Sequence, residues 1–310
     1  MNLDNKKILI VGGTGSWGQA LTRQILDQYN PKSINILSRC EQKQVDMERQ
    51  FNNKLLKFHI GDIRDKDRLL EVMGDIDIVF HLAALKHVPI CETHINETVK
   101  TNILGTQNLI DVAKYYNIKK FILISTDKAV DPINTYGLSK ALAERIVINA
   151  GYICIRAGNV LGTSGSVVPL FYKLAKGGHP ITVTDPYMTR FSMYLNDAIN
   201  LIFKALQSAQ SGEVYVMKMD SYLLKDLAEL YSEKYKVPIN IIGTRAGEKK
   251  HEILVSKYEF GRAEDDETFF KIKSMTSKNQ STSTQSFQSN TTNIIPKNEL
   301  KQLLEEGGWL

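Results

Sequence analysis

Ile8-Leu-Ile-Val-Gly-Gly-Thr-Gly-Ser-Trp-Gly18 is the stretch that decides the fold. It opens on an unbroken run of β-branched and leucine side chains, the mark of a strand buried on both faces of a parallel sheet. Glycines follow at positions 12, 15 and 18, a GxxGxxG spacing. Each has its own physical task. Gly12 permits a tight turn, Gly15 lets a pyrophosphate approach the backbone, and Gly18 lets the ensuing helix pack closely on the strand. The amino terminus of that helix carries the partial positive charge that suits an anion. Strand, glycine turn and helix in this order predict a dinucleotide site, with Thr14, Ser16 and Trp17 inside the turn.

Outward from this turn the chain alternates strand and helix as far as Arg156. Short β-branched runs predict strands at 8–11, 34–37, 56–60, 76–82, 121–125 and 152–155. Apolar spacing of helical period predicts helices at 17–28, 64–73, 99–116 and 136–149. This repetition implies a Rossmann-like, doubly wound parallel sheet of the α/β class, with ligands beyond the carboxyl ends of the strands. After Gly158 the rhythm becomes irregular. Helices at 169–176, 196–207 and 224–235 and strands at 181–183, 214–217 and 239–242 are read as a smaller C-terminal substrate-binding cap. The division is therefore a dinucleotide domain over 1–157, with later segments contributing to its sheet, and a region over 158–273 that is mainly cap. A tail over 274–310 completes the chain. Residues 274–293 are almost all Ser, Thr, Asn, Gln and Lys, which predicts a mobile or partner-dependent segment before a closing helix at 299–306.

The second strand ends Leu37-Ser38-Arg39, about 20 residues past the last glycine, where a ribose reader belongs. A carboxylate there would select NAD and repel a 2′-phosphate. Ser38 and Arg39, with Lys43 one turn on, instead offer a hydroxyl and cations, which favours NADP. Arg39 stacked on the adenine is the plainer alternative. Asp62, followed by Ile63, is placed to accept a hydrogen bond from the adenine amino group, or simply to cap the next helix. Leu82, Ala83 and Ala84 end the fourth strand, where small side chains let a cofactor lie across the sheet edge.

The densest chemical signal is Ser125-Thr126-Asp127-Lys128 followed by Tyr136-Gly-Leu-Ser-Lys140. Tyr136 and Lys140 share one helix face. An ammonium beside a phenol favours the phenolate, so Tyr136 is expected to take a proton from a sugar hydroxyl, with Thr126 bonding the same hydroxyl.

Together with GGTGSWG (12–18), LAALKHVP (82–89), GNVLGTSGSVVP (158–169), TVTDPYMTR (182–190) and RAGEKKHE (245–252), these residues resemble one family. It is the soluble, carbon-5-inverting UDP-N-acetylglucosamine 4,6-dehydratases, extended short-chain dehydrogenases/reductases of surface polysaccharide and glycan biosynthesis. The resemblance implies a catalytic set of Thr126, Asp127, Lys128, Tyr136 and Lys140. It implies NADP, tightly held and regenerated each turnover, with Lys86 near both cofactor and sugar. Oxidation at carbon 4 acidifies the proton on carbon 5. A neutral Lys128 would remove that proton, and a protonated Asp127 would donate to the departing 6-hydroxyl. For UDP-N-acetylglucosamine the resemblance implies contacts from Lys86, His87, Asn159, Thr182, Val183, Thr184 and Arg190. Arg245 is expected on the diphosphate and Glu248 on the uridine ribose. A homo-oligomer is implied, a dimer or a hexamer, paired through the helices that carry Ile103, Leu109, Leu142 and Ile146. The chain departs from the pattern at Ala157, where the family has tyrosine, and at Ala246, where it has proline.

Bulk properties agree with a small-molecule enzyme. The formal net charge of +5 is spread along 310 residues with no basic cluster interleaved with aromatics, which argues against nucleic acid. Cys40, Cys91 and Cys154 lack CxxC spacing and the six histidines lack HExxH spacing, so no metal site is expected. No apolar run nears the ~20 residues that span a bilayer, and a cytoplasmic protein without membrane insertion is expected. Two rival readings use the same cofactor turn: a UDP-sugar 4-epimerase, which has no need of Asp127 and Lys128, and a non-catalytic NADP-binding regulator.

Overall fold

The computed structural model describes residues 2–163, 165–274 and 283–310. The chain begins β1 (Lys7–Val11), α1 (Ser16–Gln28), β2 (Ser33–Ser38), α2 (Glu41–Phe51), β3 (Leu56–Ile60) and α3 (Lys66–Met73). It continues β4 (Ile78–His81), α4 (Val88–Thr93), α5 (Ile95–Thr98), α6 (Gly105–Tyr115), β5 (Lys120–Thr126), α7 (Thr135–Asn149) and β6 (Ile153–Ala157). Then come α8 (Val167–Lys176), β7 (Ile181–Val183), β8 (Thr189–Phe191), α9 (Leu195–Ser208), β9 (Val214–Met217), β10 (Ser221–Leu223), α10 (Leu224–Tyr235) and β11 (Ile239–Ile241). The last elements are β12 (Ile253–Val255), α11 (Lys257–Phe260), β13 (Ala263–Asp265), β14 (Phe269–Ile272), β15 (Phe287–Gln288) and α12 (Lys297–Glu306).

The main sheet has the order β3-β2-β1-β4-β5-β6-β9-β14-β13. Every neighbouring pair from β3 to β9 is parallel, and β14 and β13 close the far edge antiparallel. Alternate residues of β1 feed opposite cores. Leu9 and Val11 pack with Leu109, Val112 and Val147 on one face, while Ile8 and Ile10 pack with Leu21, Ile25 and Ile202 on the other. Each such fully buried aliphatic side chain contributes about 1.5–3 kcal/mol. The cap has its own core of Phe171, Ile181, Tyr222, Leu227 and Leu300, built from α8, β7, β10, α10 and α12.

Four sequence expectations change here. Residues 214–217 join the main sheet as β9, pairing with β6 in parallel through Cys154↔Val214, and α9 packs on α1 beneath that sheet. A short apolar strand carries no signal of which neighbour it will find, so its assignment to the cap was wrong. The helix expected over 99–116 starts as a π-helix, Val99–Leu104, before α6. Leu109 is fully buried in the core, so it offers nothing to a subunit contact; Leu104, Leu138 and Leu142 are among the exposed apolar residues of this region.

The fourth correction concerns the polar segment. Residues 275–282 lie outside the described residues, but 283–293 are folded against the body. Phe287 packs between Phe191 and Phe270, and β15 pairs with β12. Ser289 is wholly buried and bonds Thr189 Oγ1 at 2.6 Å. One aromatic anchor and hydroxyls matched to buried partners order a stretch whose composition reads as solvated.

Candidate active site

The loops after β1 and β4 diverge at the point where the strand order reverses, which opens a crevice at the carboxyl edge of the sheet. A cavity of about 940 Å³ fills it. All the residues assigned to the cofactor line this cavity: Gly12, Thr14, Gly15, Ser16, Trp17 and Gly18 from the turn, and Ser38, Arg39 and Lys43 after β2. Asp62, Ile63, Leu82, Ala83, Ala84 and Lys86, with Tyr136 and Lys140, complete its floor and mouth. Gly12 has φ +80°, and a Cβ there would stand 2.8 Å from the Ala83 nitrogen. A Cβ on Gly18 would stand 2.3 Å from the Gly13 carbonyl oxygen, so helix and strand touch backbone to backbone. Above Gly15 the nearest atom is the Gly12 oxygen, at 3.4 Å, and no side chain caps α1. No side chain thus covers the amino terminus of α1, where the partial positive charge of the helix suits an anion.

After β2, at the wall of the cavity, Arg39 is 57% exposed and lies 3.8 Å from Asp62, which Arg64 holds at 2.7 Å. Asp62 does not cap α3. Its Oδ1 accepts from the Arg64 amide in a local turn, and Asp65 is the cap. Ser38 Oγ accepts from Gln44 Nε2 at 3.0 Å.

The chemical wall rises from β5 and α7. Asn134 caps α7 through the Gly137 amide and so sets the phase of the turn that carries Tyr136 and Lys140. Lys140 Nζ donates to the Ile124 carbonyl at 2.8 Å, and burial lowers its pKa to about 8. Tyr136 is pushed up to about 12 by burial, against the opposing pull of Lys128 and a hydrogen bond with Thr126. Lys128 is thus a cation that favours the phenolate from the β5 side, while Lys140, four residues along α7 from Tyr136, is anchored on the Ile124 carbonyl.

Thr126 Oγ1 donates to Asp127 Oδ1 at 2.8 Å, and Lys128 Nζ reaches the same oxygen at 3.2 Å. Lys128 Nζ also reaches Glu252 Oε1 at 3.0 Å. Asp127 and Glu252 are each only 2% exposed. Burial raises the Asp127 pKa, with the Glu252 charge adding to it and Lys128 opposing. Burial pushes Glu252 up as well, but Lys128 and Arg190 outweigh it and leave Glu252 below its ordinary value. Burial lowers Lys128, and the two carboxylates more than reverse this. The neutral Lys128 expected from the reaction is thus not its resting state.

Of the residues assigned to the sugar nucleotide, Lys86, His87 and Asn159 line the cavity. The His87 ring lies against Gly165, where a Cβ would stand 2.4 Å from it. Thr182, Val183, Thr184, Arg190, Arg245 and Glu248 do not line it. Val183 is buried in the cap core, and its carbonyl accepts from the Ile242 amide at 2.9 Å. Arg190 is buried too, with Nη1 donating to the Thr189 and Lys250 carbonyls. Glu248 Oε1 accepts from Thr184 Oγ1 at 3.1 Å and stands 3.8 Å from Arg190. Arg245 is exposed, and its amide donates to Glu248 Oε2 at 3.3 Å. Glu252 was missed as a site residue, although it closes the motif RAGEKKHE; its partner Lys128 is 124 residues away, a contact no local pattern encodes. Among the described residues no cluster of His, Cys, Asp and Glu is arranged to hold a metal ion, and no helix is long and apolar enough to cross a membrane.

A glycine-turn cradle at the switch point, with a Tyr/Lys helix beside it, defines a Rossmann-type short-chain dehydrogenase/reductase fold. Within that class the chain belongs to the polysaccharide biosynthesis protein family, which it matches over residues 8–274. The chain is 40% identical, over 99% of its length and 97% of the relative's, to a protein of Methanocaldococcus jannaschii named an uncharacterized membrane protein. It is 42% identical to the inverting UDP-N-acetylglucosamine 4,6-dehydratase of Campylobacter jejuni, over 83% of this chain and 81% of that one. It is 41% identical to the UDP-glucose 4-epimerase of Rickettsia canadensis, over 86% and 83%. The X-ray structure of Pen from Bacillus thuringiensis superposes with a TM-score of 0.94 at 36% identity, covering all of both chains.

Proposed function

We propose that this protein is an NADP-dependent UDP-N-acetylglucosamine 4,6-dehydratase that inverts carbon 5. The observation that carries the reading is the buried Asp127–Lys128–Glu252 array beside Tyr136. Its relative from Campylobacter jejuni bears that activity in its name. The cavity fits a nicotinamide dinucleotide, since α1 is uncapped, the space above Gly15 is open and Arg39 stands at the adenosine end. Bound there, such a cofactor supplies reversible oxidation of a sugar carbinol.

The chain's own residues divide the proton work. Tyr136 takes the proton of the 4-hydroxyl as a phenolate; burial makes the neutral phenol its resting form, so it must first release its own proton to the cavity it lines, a loss that Lys128 and Thr126 favour. Asp127 Oδ1 is occupied by Thr126 and Lys128, while Oδ2 is buried with no partner among the described residues. A proton on Oδ2 is therefore free to go to the departing 6-hydroxyl. Lys128 rests charged and stabilises negative charge that develops on the sugar. To act as the base at carbon 5 it must first shed a proton within the cycle. Lys86, His87 and Asn159 hold the sugar, and Arg245, Glu248 and the 182–184 strand are assigned to the diphosphate and nucleoside.

The test is incubation with UDP-N-acetylglucosamine. A product lighter by one water, with the L-arabino configuration by NMR, is expected. A product of unchanged mass points to the second reading, a UDP-sugar 4-epimerase, which the Rickettsia canadensis relative favours by its name. A D-xylo product without the L-arabino epimer, even at short times, refutes inversion.

A further inference from the structure

Glu252 is a buried carboxylate that ends the motif RAGEKKHE but has no part in the proton steps above. Its backbone is pinned on both sides by the ordered end of the polar segment. The Glu252 amide donates to Ser289 Oγ at 2.9 Å, and the Ser289 amide donates to the Glu252 carbonyl at 2.9 Å. Ser289 is in turn fixed by Thr189. The side chain so placed reaches Lys128 with Oε1, while Oε2 is buried without a partner among the described residues. Two carboxylates thus share one ammonium. Oxygens of both lie idle, at a depth where unsatisfied polar atoms are rare.

We propose that Glu252 is a positioning residue of this site: it carries the negative charge that faces Lys128 and thereby leaves Asp127 as the protonated member of the pair. The inference rests on the dehydratase reading for its meaning, though not for its test. The groups facing the cluster are Thr126 and Tyr136, Arg190 of β8, Tyr222 of β10, and Lys249 with Glu248 and Asp131 on the cap-side loops. Arg190 Nε stands 4.0 Å from Glu252 Oε1, so Glu252 has a second cation within ion-pair distance, whereas among the described residues Asp127 has Lys128 alone at that range, beside the neutral Thr126 hydroxyl; Lys249 acts on both carboxylates. The direction of both carboxyl shifts agrees with this asymmetry. Without the Glu252 charge, the ionised form of Asp127 loses a repulsion and keeps the Lys128 attraction. Asp127 then deprotonates at lower pH and ceases to be an acid near neutrality.

The test uses the full chain without added substrate. Infrared difference spectra of wild type against Asp127→Asn should show the C=O stretch of a protonated carboxyl at neutral pH. In Glu252→Gln that band should vanish at a pH lower by about one unit or more. Glu252→Asp should restore it in part, and Ser289→Ala, which removes one of the two bonds that hold the Glu252 backbone, should move it in the same direction but less far. The Ser289→Ala and wild-type spectra decide the matter should Glu252→Gln not fold. A wild-type band that persists in Asp127→Asn, or that titrates alike in Glu252→Gln, overturns the proposal. With UDP-N-acetylglucosamine, Glu252→Gln should lose about tenfold or more in kcat at neutral pH, with KM little changed and the alkaline limb moved to lower pH. If wild type forms no dehydrated sugar, the functional reading fails while the infrared result still decides the role of Glu252.

Discussion

Alanine at Gly18 and alanine at Gly15 should damage the same cavity by different physics. At Gly18 the added Cβ meets the Gly13 backbone, 2.3 Å from its oxygen and 2.4 Å from its Cα. Ordinary contact begins near 3.4 Å, so α1 and the turn must separate by about 1 Å, and neither surface is a flexible side chain that can swing away. Such overpacking costs about 1–3 kcal/mol, from which alanine's helical preference over glycine returns about 0.5–1 kcal/mol. Gly18→Ala should therefore unfold a few degrees lower and bind NADP at least tenfold more weakly, since the turn that presents the phosphate amides has moved. Gly15 has φ −78°, which alanine adopts freely, and no atom closer than 3.4 Å to a new Cβ. Its stability should stay within about 0.5 kcal/mol of wild type. The methyl group nonetheless occupies the surface a pyrophosphate must approach, and a tenfold loss of affinity, about 1.4 kcal/mol, is expected. Thermal unfolding and calorimetric titration with NADP give the two readouts. Gly15→Ala binding at wild-type affinity would refute the placement of the pyrophosphate, and an undisturbed Gly18→Ala would refute the packing argument.

Tyr136→Phe should slow the first oxidation by about 10²–10⁴, with little reduced nicotinamide absorbance in a single turnover. Lys128→Ala should still pass that step and stall before water is lost, which rapid quench and mass spectrometry can follow. Arg39→Ala should narrow the preference for NADP over NAD by about 1.5–3 kcal/mol in titration calorimetry, and equal affinity of the intact protein for both cofactors sinks the NADP reading. Burial raises the Glu259 carboxyl, but Arg156 and the Ser256 bonds outweigh it and hold the pKa at about 2 against an ordinary 4.5. The folded value lies below the unfolded one, so this pair stabilises above pH 4.5 and its contribution, on the order of 3 kcal/mol, is lost as pH falls toward 2. Glu259→Gln should flatten denaturant-measured stability across that window. Leu138 and Leu142 are 56% and 47% exposed on α7, so glutamate at both should release monomers by light scattering if this face joins two copies.

Much of the molecule was legible because its signals are local. The period of β1, the glycine spacing and the four-residue step from Tyr136 to Lys140 each lie within one element and its turn, and the cofactor-assigned residues all meet in one cavity. What stayed hidden depends on neighbours far along the chain. β9 looks like any short apolar strand until Cys154 and Val214 stand side by side. The helix α2 buries only Gln44 and Met47, too narrow a stripe to announce itself. Val183 carries its side chain inward because the cap needs it there, while the motif around it promises contact with a ligand. The segment ending in Ser289 was misjudged by composition, since each buried hydroxyl there has a partner supplied by β8 or by the loop before β12.

The same division separates the general chemistry of this fold from the particular reaction. On the proposed reading, Tyr136 and Thr126 would serve proton transfer at a single sugar carbon, and a nicotinamide cofactor held at the glycine turn would supply the oxidation; an epimerase asks for no more. The Asp127–Lys128–Glu252 array is a different kind of object. Burying three ionisable groups costs desolvation that their mutual attraction repays only with good geometry and with the remaining oxygens satisfied. Here Asp127 Oδ2 and Glu252 Oε2 have no partner among the described residues. A hydrophobic cluster of the same volume would serve stability as well or better. A costly array with idle oxygens is therefore poorly explained by folding and well explained by proton transfer at a second and third carbon, which is what separates loss of water from epimerisation. If Asp127→Asn and Lys128→Met each left the rate of product formation unchanged, that reasoning would collapse, and the epimerase reading would be the one consistent with the site.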